Sequence, residues 1–179
     1  MLNCLGVILA GGRSSRFGSN KAFADLHGKK LIEHVISVMR AVFDEVVIVT
    51  NQPEQYKEFG CKVLEDLIPD LGPVGGIATA FRYTDKDALF VVACDMPFIR
   101  AEAIDRILSG AEGYDAVVAR SDGGIEPLFA LYRKNALDYG EGGSVLSILE
   151  RIKNINYIDI GRKVVTNINT KDDYESAAL

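Results

Sequence analysis

The chain has 179 residues, 48% hydrophobic and 25% charged, which is the ordinary profile of a soluble globular protein with the length of one domain. Its formal net charge of −5 argues against general nucleic-acid binding, because that function needs a basic face. No apolar run approaches the roughly 20 residues of a membrane span, and the first ten residues indicate a strand rather than a signal peptide. We therefore expect a single domain over residues 1–179 that binds neither nucleic acid nor membranes.

Strand-like and helix-like segments alternate along the chain. The predicted strands, in chain order, are residues 5–10, 45–50, 62–65, 88–93, 115–119, 126–132, 157–160 and 164–167. The predicted helices are residues 30–42, 74–83, 101–109, 133–139, 144–153 and 171–178. This alternation predicts an α/β fold, a single three-layer αβα domain with a mostly parallel twisted sheet.

The first predicted strand stops at Gly11 and Gly12, and a polar loop with two arginines follows. Glycine lets the backbone approach a ligand closely, and its amides can point at anionic oxygens. The countercharge would come from Arg13, Arg16 and Lys21. A plain turn is the alternative for the glycine pair, but three cations within ten residues favour a triphosphate site in an acidic protein. We expect this loop to be mobile without ligand, because it is polar and flanked by glycines.

Two commoner glycine loops do not match this segment. A P-loop has four residues between its glycines and then a lysine, whereas five residues separate Gly12 from Gly18, and Ser19 follows. The dinucleotide fingerprint Gly-x-Gly-x-x-Gly is also absent at this position. The loop therefore indicates nucleotide handling of a different kind.

Polar residues follow three further predicted strands, namely Asn51, Asp66 and Asp95. Ligands in open α/β sheets bind outside the carboxyl ends of the strands, so we expect these residues to meet at one edge. A carboxylate at a buried strand end beside phosphates is suited to Mg²⁺, which uses one or two carboxylates plus substrate phosphates. The alternative role for Asp95, a helix cap, is disfavoured because the next predicted helix begins at Ala101. Phosphoryl transfer then needs positioning and electrostatics rather than a side-chain nucleophile.

A second glycine turn, residues 71–77, contains Gly75 and Gly76. The residues alone leave two interpretations open, close approach of a base or ribose, and a tight loop before a helix. Residues 126–128 and 167–170 are likewise compatible with ordinary turn or capping chemistry. The cysteines Cys4, Cys61 and Cys94 form no Cys-x-x-Cys pair, which favours small packed side chains in a reducing cytoplasm.

Five segments in order resemble the molybdenum cofactor guanylyltransferases, within the Rossmann-like nucleotidyltransferases. They are residues 9–21 (LAGGRSSRFGSNK), 72–77 (GPVGGI), 94–97 (CDMP), 126–132 (EPLFALY) and 167–170 (NINT), and the likeness runs from about residue 5 to residue 175. The first segment identifies only the superfamily, whereas the last two are more specific. The chain departs from the family at Phe17, where methionine is usual, and at Asn20, where aspartate is usual.

The resemblance implies transfer of GMP from GTP to the terminal phosphate of molybdopterin, with release of pyrophosphate. It implies that nucleotide-binding residues are Leu9, Ala10, Gly11, Gly12, Lys21, Val49 or its neighbour Asn51, Asp66, Gly75, Gly76 and Asp95. It also implies Arg16, Lys21 and Asp95 as catalytic residues and Asp95 as the ligand of Mg²⁺. Glu126, Asn167 and Asn169 would face the pterin or organise the metal site.

Further expectations concern the base and the partners. The Ala10-Gly11-Gly12 turn favours guanine over cytosine, since cytidylyl-transferring relatives tend to have Ala-Ala-Gly. Contacts with proteins of cofactor biosynthesis or with the molybdoenzymes that accept the cofactor would be transient. The alternatives are another nucleotidyltransferase with a phosphate or sugar-phosphate acceptor, and a non-catalytic nucleotide-binding module.

Overall fold

The fold centres on one seven-stranded sheet, seen in a computed structural model that describes residues 2–11, 20–68, 71–136, 144–168 and 173. The strands are β1 (Cys4–Leu9), β2 (Asp25–Leu26), β3 (Lys29–Lys30), β4 (Val46–Thr50), β5 (Lys62–Glu65), β6 (Ala88–Ala93), β7 (Ala116–Ser121), β8 (Gly124–Arg133) and β9 (Ile155–Asp159). The order across the large sheet is β5-β4-β1-β6-β8-β7-β9, and β2 pairs with β3 in a separate hairpin.

The sheet is mostly parallel, as predicted. The pairings of β1 with β4 and β6, of β4 with β5 and of β7 with β9 are parallel. Within the described ranges only β8 runs the other way, between β6 and β7. The beginning of β8 therefore lies at the edge where the parallel strands end.

In the part of the chain that the structure describes, four α-helices cover the two faces of the sheet. They are α1 (Leu31–Val42), α2 (Pro73–Tyr83), α3 (Ala101–Ser109) and α4 (Val145–Leu149). Helices α1 and α3 pack in one core cluster, and α2 and α4 pack in the other. Side chains of β1 alternate between the clusters, because successive residues of a strand point to opposite faces. The predicted three-layer αβα arrangement is thereby confirmed. No helix within these ranges is both long and apolar enough to cross a membrane.

Two predicted helices differ from the structure. Residue 133 was expected to begin a helix, but Arg133 ends β8, paired with Ala88 and donating hydrogen bonds from its guanidinium to two carbonyls. Only Lys134–Ala136 then form a 3₁₀ turn, and residues 137–139 lie outside the described ranges. The predicted helix 144–153 is shortened to Val145–Leu149, with the Ser144 side chain accepting a hydrogen bond from the amide of Ser147.

The predicted strand 164–167 is wrong, because a turn occupies residues 162–165. The amide of Val164 donates to the carbonyl of Gly161 at 2.9 Å, which closes the turn. Val165 is buried in the core, so its hydrophobic character serves packing rather than pairing. The predicted last helix lies outside the described residues except for residue 173.

A bulge in β8 shapes the edge of the sheet that carries the site. Val118 pairs with Ala130, whereas the next residue, Ala119, pairs with Glu126, so the residues between positions 126 and 130 are extra on β8. The hydroxyl of Tyr132 donates to the carbonyl of Pro127 at 2.7 Å, which provides that carbonyl with a partner inside the bulge. The bulge bends the strand and determines where Glu126 enters the sheet.

Candidate active site

The end of β1 is held in place by a ring of hydrogen bonds around Ala10. Its amide donates to the carbonyl of Val49 at 2.8 Å, and its carbonyl accepts from the hydroxyls of Thr50 at 3.0 Å and Tyr56 at 3.3 Å. Across the sheet the amide of Cys94 donates to the carbonyl of Leu9 at 3.0 Å. The backbone therefore leaves β1 in one defined direction, and the glycine turn begins there.

Gly11 is exposed, and a Cβ added to it would meet no described atom within 4 Å. Open space beside a fixed strand end is what a ligand-binding turn requires. Gly12 and Arg16 lie outside the described residues, as does the rest of segment 12–19. Their predicted contacts with phosphate and the predicted mobility of the loop stay predictions.

Lys21 opens a short 3₁₀ turn that is capped by Asn20. The Asn20 carboxamide oxygen accepts from the amide of Ala22 at 3.2 Å, and its nitrogen donates to the hydroxyl of Tyr56 at 2.9 Å and to Gln55 at 3.1 Å. A carboxylate could not donate these last two bonds, so Asn20 has a structural use here that an aspartate would lack. The turn places the Lys21 ammonium against Asp95, with which it forms an ion pair.

Asp95 lies just beyond the end of β6 and is only 6% exposed. One carboxylate oxygen, Oδ2, pairs with Lys21, while Oδ1 is buried without a hydrogen-bond partner among the described residues. The carbonyl of Asp95 accepts from the amide of Ile168 at 2.9 Å, so the segment that contains Asn167 runs alongside it. The carboxamide oxygen of Asn167 is also buried without a partner in the described part of the chain. Two oxygen acceptors thus lack donors at this edge of the sheet.

The neighbouring Cys94 does not compete for this chemistry. Burial, together with the adjacent Asp95 carboxylate, raises the pKa of the Cys94 thiol to about 12. The thiol therefore stays protonated at neutral pH, and a thiol is a much weaker nucleophile than a thiolate. Among the described residues, no group of three or more His, Cys, Asp or Glu side chains could hold a metal on its own.

The third strand end is built around Asp66. Its Oδ1 accepts from the hydroxyl of Thr79 at 3.1 Å and from the amide of Ile68 at 3.0 Å. Gly75 packs directly on this turn, since a Cβ there would lie 2.5 Å from the carbonyl oxygen of Ile68 and 3.1 Å from both Asp66 oxygens. A Cβ on Gly76 would lie 2.8 Å from the Leu9 side chain. The tight-packing interpretation of the second glycine turn is therefore borne out, while its contact with a nucleotide stays a prediction.

The two candidates for the second-strand position differ in accessibility. Val49 is 2% exposed, and its side chain belongs to the core under α2. Asn51 follows β4 directly and is exposed. Asn51 is therefore the one whose side chain is accessible to a ligand, and Val49 contributes its backbone and its packing.

Glu126 is half-buried at the beginning of β8. Burial raises the pKa of its carboxyl above the ordinary value, and a hydrogen bond from the Ser121 hydroxyl at 3.5 Å and the charge of Arg162 oppose that rise. Because β8 is antiparallel to β6, Glu126 shares the sheet edge with Asp95. Asn169 lies outside the described residues.

The raised pKa of Glu126 predicts a measurable pH dependence of stability. A carboxyl whose pKa is higher in the folded state favours folding below its unfolded value of 4.5, and this contribution is lost as pH rises through the raised folded value. Glu126→Gln should therefore gain free energy of unfolding relative to the wild type between pH 4 and pH 7, measured by urea denaturation. Equal pH dependence in the two proteins would contradict the shift.

Sequence reasoning missed the residues that support the site. Thr50, Tyr56 and Thr79 are buried, and their hydroxyls bind the backbone of Ala10 or the carboxylate of Asp66. Tyr56 is held within a 3₁₀ segment, Pro53–Phe59, that the periodicity did not reveal. Two signals were available in the sequence, the hydroxyl of Thr50 at the end of a predicted strand and the hydroxyl of Thr79 inside an apolar helix.

This fold and this sheet edge define a class, the Rossmann-like nucleotidyltransferases. The MobA-like NTP transferase domain matches residues 6–149. The chain belongs to that family.

Individual relatives agree over almost the whole length. A protein named probable molybdenum cofactor guanylyltransferase from Clostridium perfringens (strain 13 / Type A) is 34% identical, over 98% of this chain and 96% of its own. One of the same name from Carboxydothermus hydrogenoformans is 35% identical, over 98% and 95%. The crystal structure of molybdopterin-guanine dinucleotide biosynthesis protein A from Archaeoglobus fulgidus superposes with a TM-score of 0.81 at 30% identity, over 97% of this chain and 96% of that one.

Proposed function

We propose that the protein transfers GMP from GTP to the terminal phosphate of molybdopterin, forming the guanine dinucleotide cofactor and releasing pyrophosphate. The observation that supports this most is the meeting of Lys21 and the buried Asp95 at the carboxyl end of the central strands. Two independent motifs of the family supply these residues, and the fold brings them into contact. The relatives of similar length carry the corresponding name.

The reaction asks little covalent chemistry of the protein. An oxygen of the acceptor phosphate forms a bond to the α-phosphorus of GTP, and the bond from that phosphorus to the bridging oxygen breaks. The acceptor phosphate is already ionised at neutral pH, so no side chain has to act as the nucleophile. Lys21 and Arg16 would stabilise charge on the phosphates, as phosphoryl transfer requires.

Mg²⁺ belongs to this proposal as the resident metal. Asp95 and Asn167 each have a buried oxygen that has no hydrogen-bond partner among the described residues. Oxygen atoms are the ligands that a hard cation takes, so the residues fit the ion. Asp95 and Asn167 would hold it together with the phosphates of the nucleotide. When bound, the ion neutralises negative charge that develops on those phosphates.

The remaining strand ends divide between the two substrates. The Gly11 turn, Asn51 and the Asp66 turn line the side of the sheet formed by β1, β4 and β5, and we assign them to the nucleotide. Glu126 and Asn169 we assign to the pterin, and Asn167 to the metal beside it. We further propose a cytoplasmic setting, which suits the free cysteines, and transient contacts with donor and acceptor proteins.

Thermal unfolding with Mg²⁺ and each of GTP, CTP, ATP and UTP tests the nucleotide assignment. A nucleotide at 100 times its dissociation constant should add about 2.7 kcal/mol to the free energy of unfolding. We expect the largest shift with GTP, followed by formation of the dinucleotide and pyrophosphate when molybdopterin is added. A larger shift with another nucleotide would assign the protein to a sister transferase. No shift, together with no transfer when pterin is present, would favour a non-catalytic binding module.

A further inference from the structure

The ammonium of Lys21 lies against the carboxylate that we assign to the metal. The ion pair joins Lys21 Nζ to Asp95 Oδ2, with the two side chains 23% and 9% exposed. The same lysine is the residue assigned to the phosphates of GTP. The ammonium that pairs with Asp95 is therefore also the one that would bind the triphosphate.

A divalent cation on Asp95 would lie within a few ångströms of this ammonium. Both charges are positive, and their repulsion is stronger at a partly buried site than in bulk water. The charge of Lys21 already neutralises the carboxylate, so a metal ion gains little by approaching it. A cation that belongs to the chain would therefore compete with free metal for this carboxylate.

The backbone around Lys21 is held while its side chain can exchange partners. Lys21 is the first residue of the 3₁₀ turn. Asn20 caps this turn and anchors it through its hydrogen bonds to Tyr56 and Gln55. Because the side chain is 23% exposed, it can swing from Asp95 towards solvent or towards phosphate without moving the turn.

We propose that Lys21 guards Asp95 against free divalent cations and leaves it when triphosphate oxygens arrive, so that metal binding depends on nucleotide. This inference rests on the proposed role of Asp95 as the metal ligand. It gives the resting protein a neutral, closed carboxylate and makes the metal and the nucleotide enter together.

The test measures how tightly free Mn²⁺ binds to the protein without nucleotide. Binding is monitored by the decrease of the electron paramagnetic resonance signal of free Mn²⁺. The wild type should bind Mn²⁺ weakly, and Lys21→Met should bind it at least about tenfold more tightly, since loss of the ammonium removes this repulsion. The double variant Lys21→Met/Asp95→Asn should lose this gain. Lys57→Met is the matched control, because it removes one positive charge from an exposed pair with Glu54 and should leave Mn²⁺ affinity unchanged.

Each outcome separates the inference from the function on which it rests. Equal, Asp95-dependent affinity in the wild type and Lys21→Met would overturn the guarding role and leave the metal site standing. Absence of Asp95-dependent Mn²⁺ binding in every variant, with and without GTP, would overturn both. If Lys21→Met does not fold, as judged by circular dichroism, Lys21→Gln keeps a hydrogen-bond donor to Asp95 without the charge and should show the same direction of change.

Discussion

Replacing Asp95 with asparagine is expected to lower the rate of guanylyl transfer by at least about a hundredfold, the scale on which one preorganised electrostatic contact acts. The amide has nearly the shape of the carboxylate but carries no charge to offer a cation. Its oxygen binds Mg²⁺ more weakly, and the countercharge for Lys21 disappears. The measurement is pyrophosphate release at saturating GTP and molybdopterin.

The fold of this variant should survive, which makes the loss of rate interpretable. Lys21 is 23% exposed at its side chain, so it can turn to solvent when its partner is neutral. Asp159→Asn is the matched control, because that carboxylate is exposed and pairs with Arg120 on the far strands of the sheet. Its turnover should match the wild type. Retention of turnover within tenfold in Asp95→Asn would remove Asp95 from the mechanism.

Gly75→Ala is expected to destabilise the protein by about 1–3 kcal/mol, as overpacking of a tight contact does. The new methyl carbon would lie 2.5 Å from the carbonyl oxygen of Ile68, a backbone atom that cannot rotate away. Either α2 or the Asp66 turn has to shift, and the Asp66 carboxylate shifts with it because Ile68 donates to it. We therefore expect the KM for GTP to rise together with the loss of stability, measured by urea denaturation and by steady-state kinetics.

The control for this substitution is Gly161→Ala. A Cβ at that exposed glycine meets no described atom within 4 Å, so the free energy of unfolding should change by less than about 0.5 kcal/mol. Unchanged stability in Gly75→Ala would show that the turn yields easily and would contradict the packing argument. Unchanged KM with reduced stability would separate Asp66 from nucleotide binding.

The parallel half of the sheet could be predicted from the sequence because its strands are buried on both faces. Two of these strands, Val46–Thr50 and Ala88–Ala93, are continuous apolar or β-branched runs. Such runs can be recognised as buried strands from the sequence alone. The direction of β8 could not be predicted this way. A buried run looks the same whichever way it pairs, and pairing decides that Glu126 starts at the site edge.

Much of the site could not be predicted from the sequence, because its contacts depend on the fold. The positions of Asp66 and Asp95 after strands were legible, but the contact of Lys21 with Asp95 spans 74 residues and depends on the turn capped by Asn20. The sequence also could not decide between Val49 and Asn51 as the ligand-facing residue. Both lie at the end of the same strand, and only their burial in the fold distinguishes them. The supporting hydroxyl of Tyr56 comes from a 3₁₀ segment, which lacks a strong periodic signal.

The hydrogen bond from the amide of Ile168 to the carbonyl of Asp95 has a consequence for synthesis of the chain. Ribosomes deliver the amino-terminal part first, so β1, β4, β5 and β6 can emerge and pair before residue 168 exists. At that stage the strand ends assigned to GTP are in place, but the carbonyl of Asp95 does not yet have the amide of Ile168 as its hydrogen-bond donor. The segment with Asn167 is made after all of these strands, so a ribosome-bound chain gains its complete reaction centre only once residue 168 has emerged.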